Sequence, residues 1–165
     1  MPRSGGLPQE ASFPTLLGAA QRTYSAAIRS SLAEAGYADM PVTGYWITGF
    51  LARGGSGLQD LASRLTVSKQ ATSRLVELLV QRGYCDRISD PSDRRRTTLV
   101  LTERGRAAAD EIRRAIERTN EQLATRASAQ DIAVTRSTLA TLVALGRENK
   151  LGVGVAFGAA RDRGR

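Results

Sequence analysis

The feature that most constrains this chain is the stretch from Gly57 to Thr102, where two short helical patterns precede a turn, Asp90-Pro91-Ser92-Asp93-Arg94-Arg95-Arg96, held between two strand-like runs. Leu58, Leu61, Ala62 and Leu65 mark a short helix. Thr66-Val67 then leads to a second helix with Ser68 as its expected N-cap, because a serine oxygen accepts a free amide of the first turn. In that helix Ala71, Leu75, Leu78, Leu79 and Arg82 are expected on the packed side, with Lys69, Gln70, Ser73, Arg74 and Glu77 elsewhere. Gly83 stops it, and Tyr84 to Ile88 and Thr97 to Leu101 read as strands around a polar turn. Helix, turn, helix and hairpin in that order describe a unit that can lay its second helix in a groove and extend the hairpin beside it.

The rest of the chain is expected to be helical. Pro14 to Ala35 carries Leu16, Leu17, Ala20, Tyr24, Ala27, Ile28 and Leu32 at helical spacing, with Gly36 as a stop. Thr43 to Arg53 gives a second helix, weakened by the internal Gly44 and Gly49. A long helix opens at Thr102-Glu103-Arg104-Gly105, and a last one runs from Ala129 to Glu148 with an apolar face that needs a partner surface. Residues 1–12 and 151–165 read as flexible tails around one domain at 13–150. The expected fold class is mainly α with a small β-hairpin wing.

Composition narrows the chemistry. Net charge is +8, and 22 of the 24 basic residues are Arg, which favours forked contacts to phosphate or guanine. Cys85 is the single cysteine and there is no His, so a disulfide framework, a multi-cysteine zinc site and His-based catalysis are excluded. No cofactor and no metal are expected, and an enzyme has little support, since no glycine-rich phosphate loop or carboxylate cluster is present. No apolar run reaches the roughly 20 residues of a bilayer span, and the start of the chain leads into no signal-peptide stretch, so a cytoplasmic protein with no membrane partner is expected.

The reading residues are expected at the start of the second helix. Lys69 and Arg74 suit guanine or phosphate, Gln70 suits adenine, Thr72 and Ser73 suit bases or phosphates, and Ser68 with the free helix amides suits phosphate. Three consecutive arginines at the hairpin tip, Arg94, Arg95 and Arg96, repel one another unless a polyanion or acidic neighbours answer them, and Asp90 and Asp93 answer part of that charge. From Ser68 to Arg96 seven basic residues face four acidic ones, so sequence discrimination should not rest on bulk charge. A winged helix that docks its arginines on an acidic protein partner is the competing reading.

The segments Leu58 to Leu65, Val67 to Val76, Gln81-Arg82-Gly83-Tyr84, and Asp90 to Arg96 leading to Leu101-Thr102-Glu103-Arg104-Gly105 together resemble the MarR family of bacterial winged-helix regulators, closely over about residues 43–106. The resemblance implies a homodimer held by helices at about 14–35 and 103–149. It would act on a pseudo-palindromic double-stranded DNA site, most often as a repressor. It also implies that Asp93 supports a minor-groove arginine, here Arg95, with Arg94 and Arg96 as alternates. A small aromatic or phenolic effector is implied between the dimer helices and the winged helix, where Tyr24, Tyr45 and Trp46 are candidates, although aromatics at such spacing also serve as core. Cys85 lies in the first wing strand rather than in the N-terminal helix that carries the reactive thiol of oxidant-sensing members. It therefore reads as a buried filler, with redox response through Cys85 as the alternative.

Overall fold

The computed structural model describes residues 11–55, 61, 69–89 and 97–148. Five helices and one antiparallel hairpin occur among them: α1 (Phe13–Glu34), α2 (Gly44–Ala52), α3 (Lys69–Gln81), β1 (Cys85–Ser89), β2 (Thr97–Leu101), α4 (Glu103–Ala124) and α5 (Ala129–Glu148). The expected tail residues 1–10 and 151–165 and most of the expected first helix of the helix-turn-helix lie outside the described residues. Leu61, from that helix, is helical and 1% exposed.

Local chemistry sets the helix ends. Ser12, expected in the tail, instead caps α1: its side chain accepts from the Thr15 amide, and Pro14 sits in the first turn where its missing N–H costs nothing. At the other end Gly36 takes φ 84°, its amide bonding Ala33 O at 3.2 Å and the Tyr37 amide bonding Leu32 O at 2.7 Å. α3 ends the same way, with Gly83 at φ 71°, its amide on Val80 O at 2.9 Å and the Tyr84 amide on Leu79 O at 2.9 Å. A left-handed glycine followed by such a bond turns the chain sharply while satisfying the last carbonyls. It also fixes where the next residue, a tyrosine in both cases, must point. α2 is a regular helix despite its glycines. A side chain at Gly44 would strike Met40 Sδ at 2.7 Å and Leu79 Cδ2 at 2.9 Å, so that position is a close helix crossing.

One core serves the described residues. α1 and α2 pack on α4, α3 packs on α2 and β1, and β2 packs on α2 and α4, with Leu32, Met40, Ile47, Leu51, Leu79, Tyr84, Leu99 and Ile112 in the shared core. β1 and β2 pair with Cys85 opposite Leu101, Arg87 opposite Leu99 and Ser89 opposite Thr97. Period-two alternation puts Cys85, Leu99 and Leu101 on the core side, all three buried. On α3 the buried positions are Thr72, Val76 and Leu79. The packed stripe is thus rotated from the expected one, and Arg82, expected on it, is exposed.

α1 and α4 are tied by charge as well as by apolar contact. Glu111 accepts from buried Ser31, from Arg114 Nη2 at 2.6 Å and from Arg118 Nη2 at 3.0 Å. Those partners, Ser31 foremost, hold the Glu111 carboxyl at about 2, far below its ordinary 4.5. α5 begins at a cap in which Ser128 Oγ accepts from the Asp131 amide at 3.1 Å. It leaves Val134, Leu142, Val143 and Leu145 exposed, as an apolar helix does when its covering surface belongs to something else. No helix among the described residues is long and apolar enough to cross a membrane.

Candidate nucleic-acid interface

The surface is built on α3. Its apolar stripe of Thr72, Val76 and Leu79 lies within about 60° on the helical wheel. The opposite side presents Gln70, Arg74, Glu77 and Gln81 to solvent, with Ser73 half-buried at the border. Of the expected reading residues, then, Gln70 and Arg74 share one exposed face and Ser73 borders it. Thr72 is a correction: it is fully buried, on the packed side with Val76 and Leu79, and cannot reach a base or a phosphate from there. Lys69 is the first residue of α3. Ser68, Asp93, Arg94, Arg95 and Arg96 lie outside the described residues.

The hairpin stands beside this face. Arg87 of β1 reaches Glu77 of α3 at 3.9 Å, which partly cancels the one carboxylate on the exposed side. Both partners are about half exposed, so the pair contributes little to stability. The root of the hairpin is closed by Thr102, whose amide bonds Tyr84 O at 3.1 Å and whose hydroxyl donates to Gly83 O at 2.6 Å while accepting from the Gly105 amide at 3.0 Å. Arg106 Nη1 adds a bond to Leu101 O at 2.7 Å. The Leu-Thr-x-x-Gly segment is therefore a strand end, a helix cap and a close approach in five residues. A Cβ on Gly105 would sit 1.9 Å from the Tyr84 carbonyl oxygen.

Cys85 is 1% exposed, and burial, with the Asp86 charge beside it, pushes its thiol up to about 11. That setting disfavours the thiolate on which oxidant sensing depends. The filler reading is the one the geometry supports.

Tyr24, Tyr45 and Trp46 all line one cavity of about 290 Å³, together with Ile28, Gly49, Arg53, Ile112 and Ile116. The wall is built from helical i,i+4 steps: 24 and 28 on α1, 45 and 49 on α2 continued to its C-cap at 53, and 112 and 116 on α4. Tyr24 donates to Asn120 Oδ1 at 2.5 Å. Burial raises the Tyr45 pKa, opposed by the charge of Arg29. Arg53, the cation among the described residues of the wall, went unnoticed in the sequence, although its spacing from Tyr45 and Gly49 could have placed it.

Comparisons with known proteins agree with this geometry. Residues 39–96 match the sequence model of the MarR family. The chain is 31% identical over 71 residues to the uncharacterized HTH-type transcriptional regulator YwhA of Bacillus subtilis, a match covering 40% of this chain and 51% of the relative; the chain spans about half the length of that curated relative. Its fold is similar to that of the transcriptional repressor CouR, solved on a 23-mer DNA duplex, with a TM-score of 0.64 at 22% identity over 79% of this chain and 92% of that one. It is also similar to Bordetella bronchiseptica BpsR, whose DNA binding is regulated by 6-hydroxynicotinic acid, with a TM-score of 0.63 at 18% identity over 84% and 97%. Residues 39–96 thus carry the sequence pattern of the MarR family, and the described helices and hairpin share the fold of these solved regulators.

Proposed function

We propose that this chain is a transcription regulator that binds double-stranded DNA as a homodimer, each copy placing α3 in the major groove and its wing arginines against the adjacent minor groove. The observation that carries this reading is the exposed Gln70 and Arg74 face of α3 beside a hairpin whose turn sequence holds Arg94, Arg95 and Arg96. A major groove about 12 Å wide admits such a helix, and Arg and Gln present the forks that guanine and adenine edges accept. The likeness to CouR, solved on duplex DNA, supports the same reading. For the dimer, support comes from the apolar side chains left exposed at the N-terminal end of α1 and along α5, including Phe13, Leu16, Leu142 and Leu145. Half-sites would then lie about one DNA turn, roughly 34 Å, apart.

The action is repression, released when a small aromatic or phenolic ligand fills the cavity lined by Tyr24, Tyr45 and Trp46. That cavity joins α1, α2 and α4, so an occupant can alter the spacing between the helices that pair and the helix that reads. BpsR, regulated by an aromatic acid, lends this its support. Selection of bound sequences from random duplex DNA tests the function. The expected result is one palindromic motif whose affinity falls steeply with salt; enrichment of no motif would contradict it.

A further inference from the structure

Asp39, in the turn between α1 and α2, collects bonds from three other parts of the fold. Tyr84, at the root of the wing, donates its hydroxyl to Asp39 Oδ1 at 2.6 Å. Arg104, in the first turn of α4, donates Nη2 to the same oxygen at 2.8 Å and lies 3.1 Å from the Tyr84 hydroxyl. Arg82, just beyond α3, donates to the Asp39 carbonyl oxygen. The Arg104 guanidinium also lies over two rings, 4.7 Å from the centre of Tyr84 and 5.3 Å from that of Tyr37, and the two rings meet edge to face at 6.3 Å.

The two tyrosines arrive by the same device, each being the residue after a left-handed glycine that ends a helix. The end of α1, the end of α3, the wing root and the start of α4 thus converge on one carboxylate and one guanidinium. A planar fork that also stacks fixes direction in a way a lysine ammonium cannot. Because Asp39 and Arg104 are 46% and 41% exposed, their contact adds little to stability. Its geometry, however, controls a lever. A five-residue strand is about 16 Å long at roughly 3.3 Å per residue, so a tilt of about 10° at the root carries its far end about 3 Å, enough to break a phosphate contact.

We propose that Arg104, Asp39 and Tyr84 form the joint that sets the angle of the wing against α1 and the reading helix, and that they are positioning residues for DNA rather than contacts to it. This rests on the DNA-reading function above. The test uses the full chain with Arg104→Lys, Asp39→Ala and Tyr84→Phe, measuring affinity for the best selected duplex over a salt series and thermal unfolding in parallel. Each variant should unfold within a few degrees of the parent yet bind about tenfold more weakly, with a salt slope shallower by about one as a wing phosphate contact is lost.

Asp39→Ala separates positioning from bulk charge by sign. Removing an anion should strengthen DNA binding if only charge matters, whereas the joint requires weaker binding. Asp39→Ala at equal or higher affinity, or Arg104→Lys at parental affinity, would overturn the proposal. Hydrogen exchange of the β1 and β2 amides in free protein judges the joint separately from DNA reading. Arg104→Lys should speed that exchange, and unchanged exchange counts against the joint even if the parent selects no duplex.

Discussion

Replacing Gly105 with alanine is a severe test of how the wing root is built. The added Cβ would lie 1.9 Å from the Tyr84 carbonyl oxygen, 2.9 Å from its carbon and 3.1 Å from Leu101 Cδ2, whereas ordinary contact begins at 3.4 Å. The backbone at Tyr84 must therefore retreat by about 1.5 Å, and it is held by the Thr102 amide at 3.1 Å and by the turn that ends α3. Overpacking against backbone costs up to about 3 kcal/mol, and losing the Thr102 bond adds about 1 kcal/mol. Alanine's better helix propensity returns up to about 1 kcal/mol. The net expectation is a loss of about 2–3 kcal/mol, or about 5–10 °C in Tm for a chain of this size.

Circular dichroism during heating, with urea unfolding at 25 °C, measures this loss directly. Gly18→Ala is the internal control, since a Cβ there meets only the tip of Arg22 at 3.5 Å; it should be neutral or stabilising by up to about 1 kcal/mol. If Gly105→Ala is as well tolerated as Gly18→Ala, the close approach of α4 to the wing root is not the reason for glycine there.

Three further outcomes follow from the packing. Glu111 has its carboxyl depressed to about 2 by Ser31, Arg114 and Arg118, so its contribution is present above about pH 4.5 and lost as pH falls toward 2. Relative to Glu111→Gln, the parent should lose about 1–2 kcal/mol over that window in urea unfolding, after discounting for the half-exposed arginines; parallel pH profiles would refute the tie. Cys85, with its thiol near 11 and its side chain buried, should react with a thiol reagent near neutral pH at least about 100-fold more slowly in native than in denatured protein. Equal rates would reopen the redox reading. Arg74→Ala should cost about 1–3 kcal/mol of DNA binding while leaving stability within about 0.5 kcal/mol, and Thr72→Ala should do the reverse. DNA affinity that depends on Thr72 and not on Arg74 would mean the reading face is misassigned.

Much of the fold was legible because its signals are local. Pro14 and Gly36 bracket α1, Gly83 closes α3, and the alternation in Thr97 to Leu101 matches β2 as observed. The Leu-Thr-x-x-Gly segment stood out by resemblance, and the structure supplies its physical reason in the Thr102 cap and the Gly105 approach. Thr72 misled because a hydroxyl suggests an outward position, whereas its wheel angle, shared with Val76 and Leu79, puts it in the core. The joint at Asp39 could not be read at all. Its partners are 45 and 65 residues away in sequence, and no spacing rule connects an isolated aspartate in one turn to an arginine in a distant helix. The cavity was half legible: Tyr24, Tyr45 and Trp46 do face one space, but Ile112 and Ile116 join them only through the packing of α4 on α1 and α2.

Hydroxyl-radical footprinting of the chain on its best selected duplex tests the central claim most directly. Two winged helices acting together should give a two-fold symmetric footprint, with protected segments about one helical turn, roughly 10 base pairs, apart and with minor-groove protection flanking each major-groove contact. A single asymmetric protection, or none at saturating protein, would contradict it.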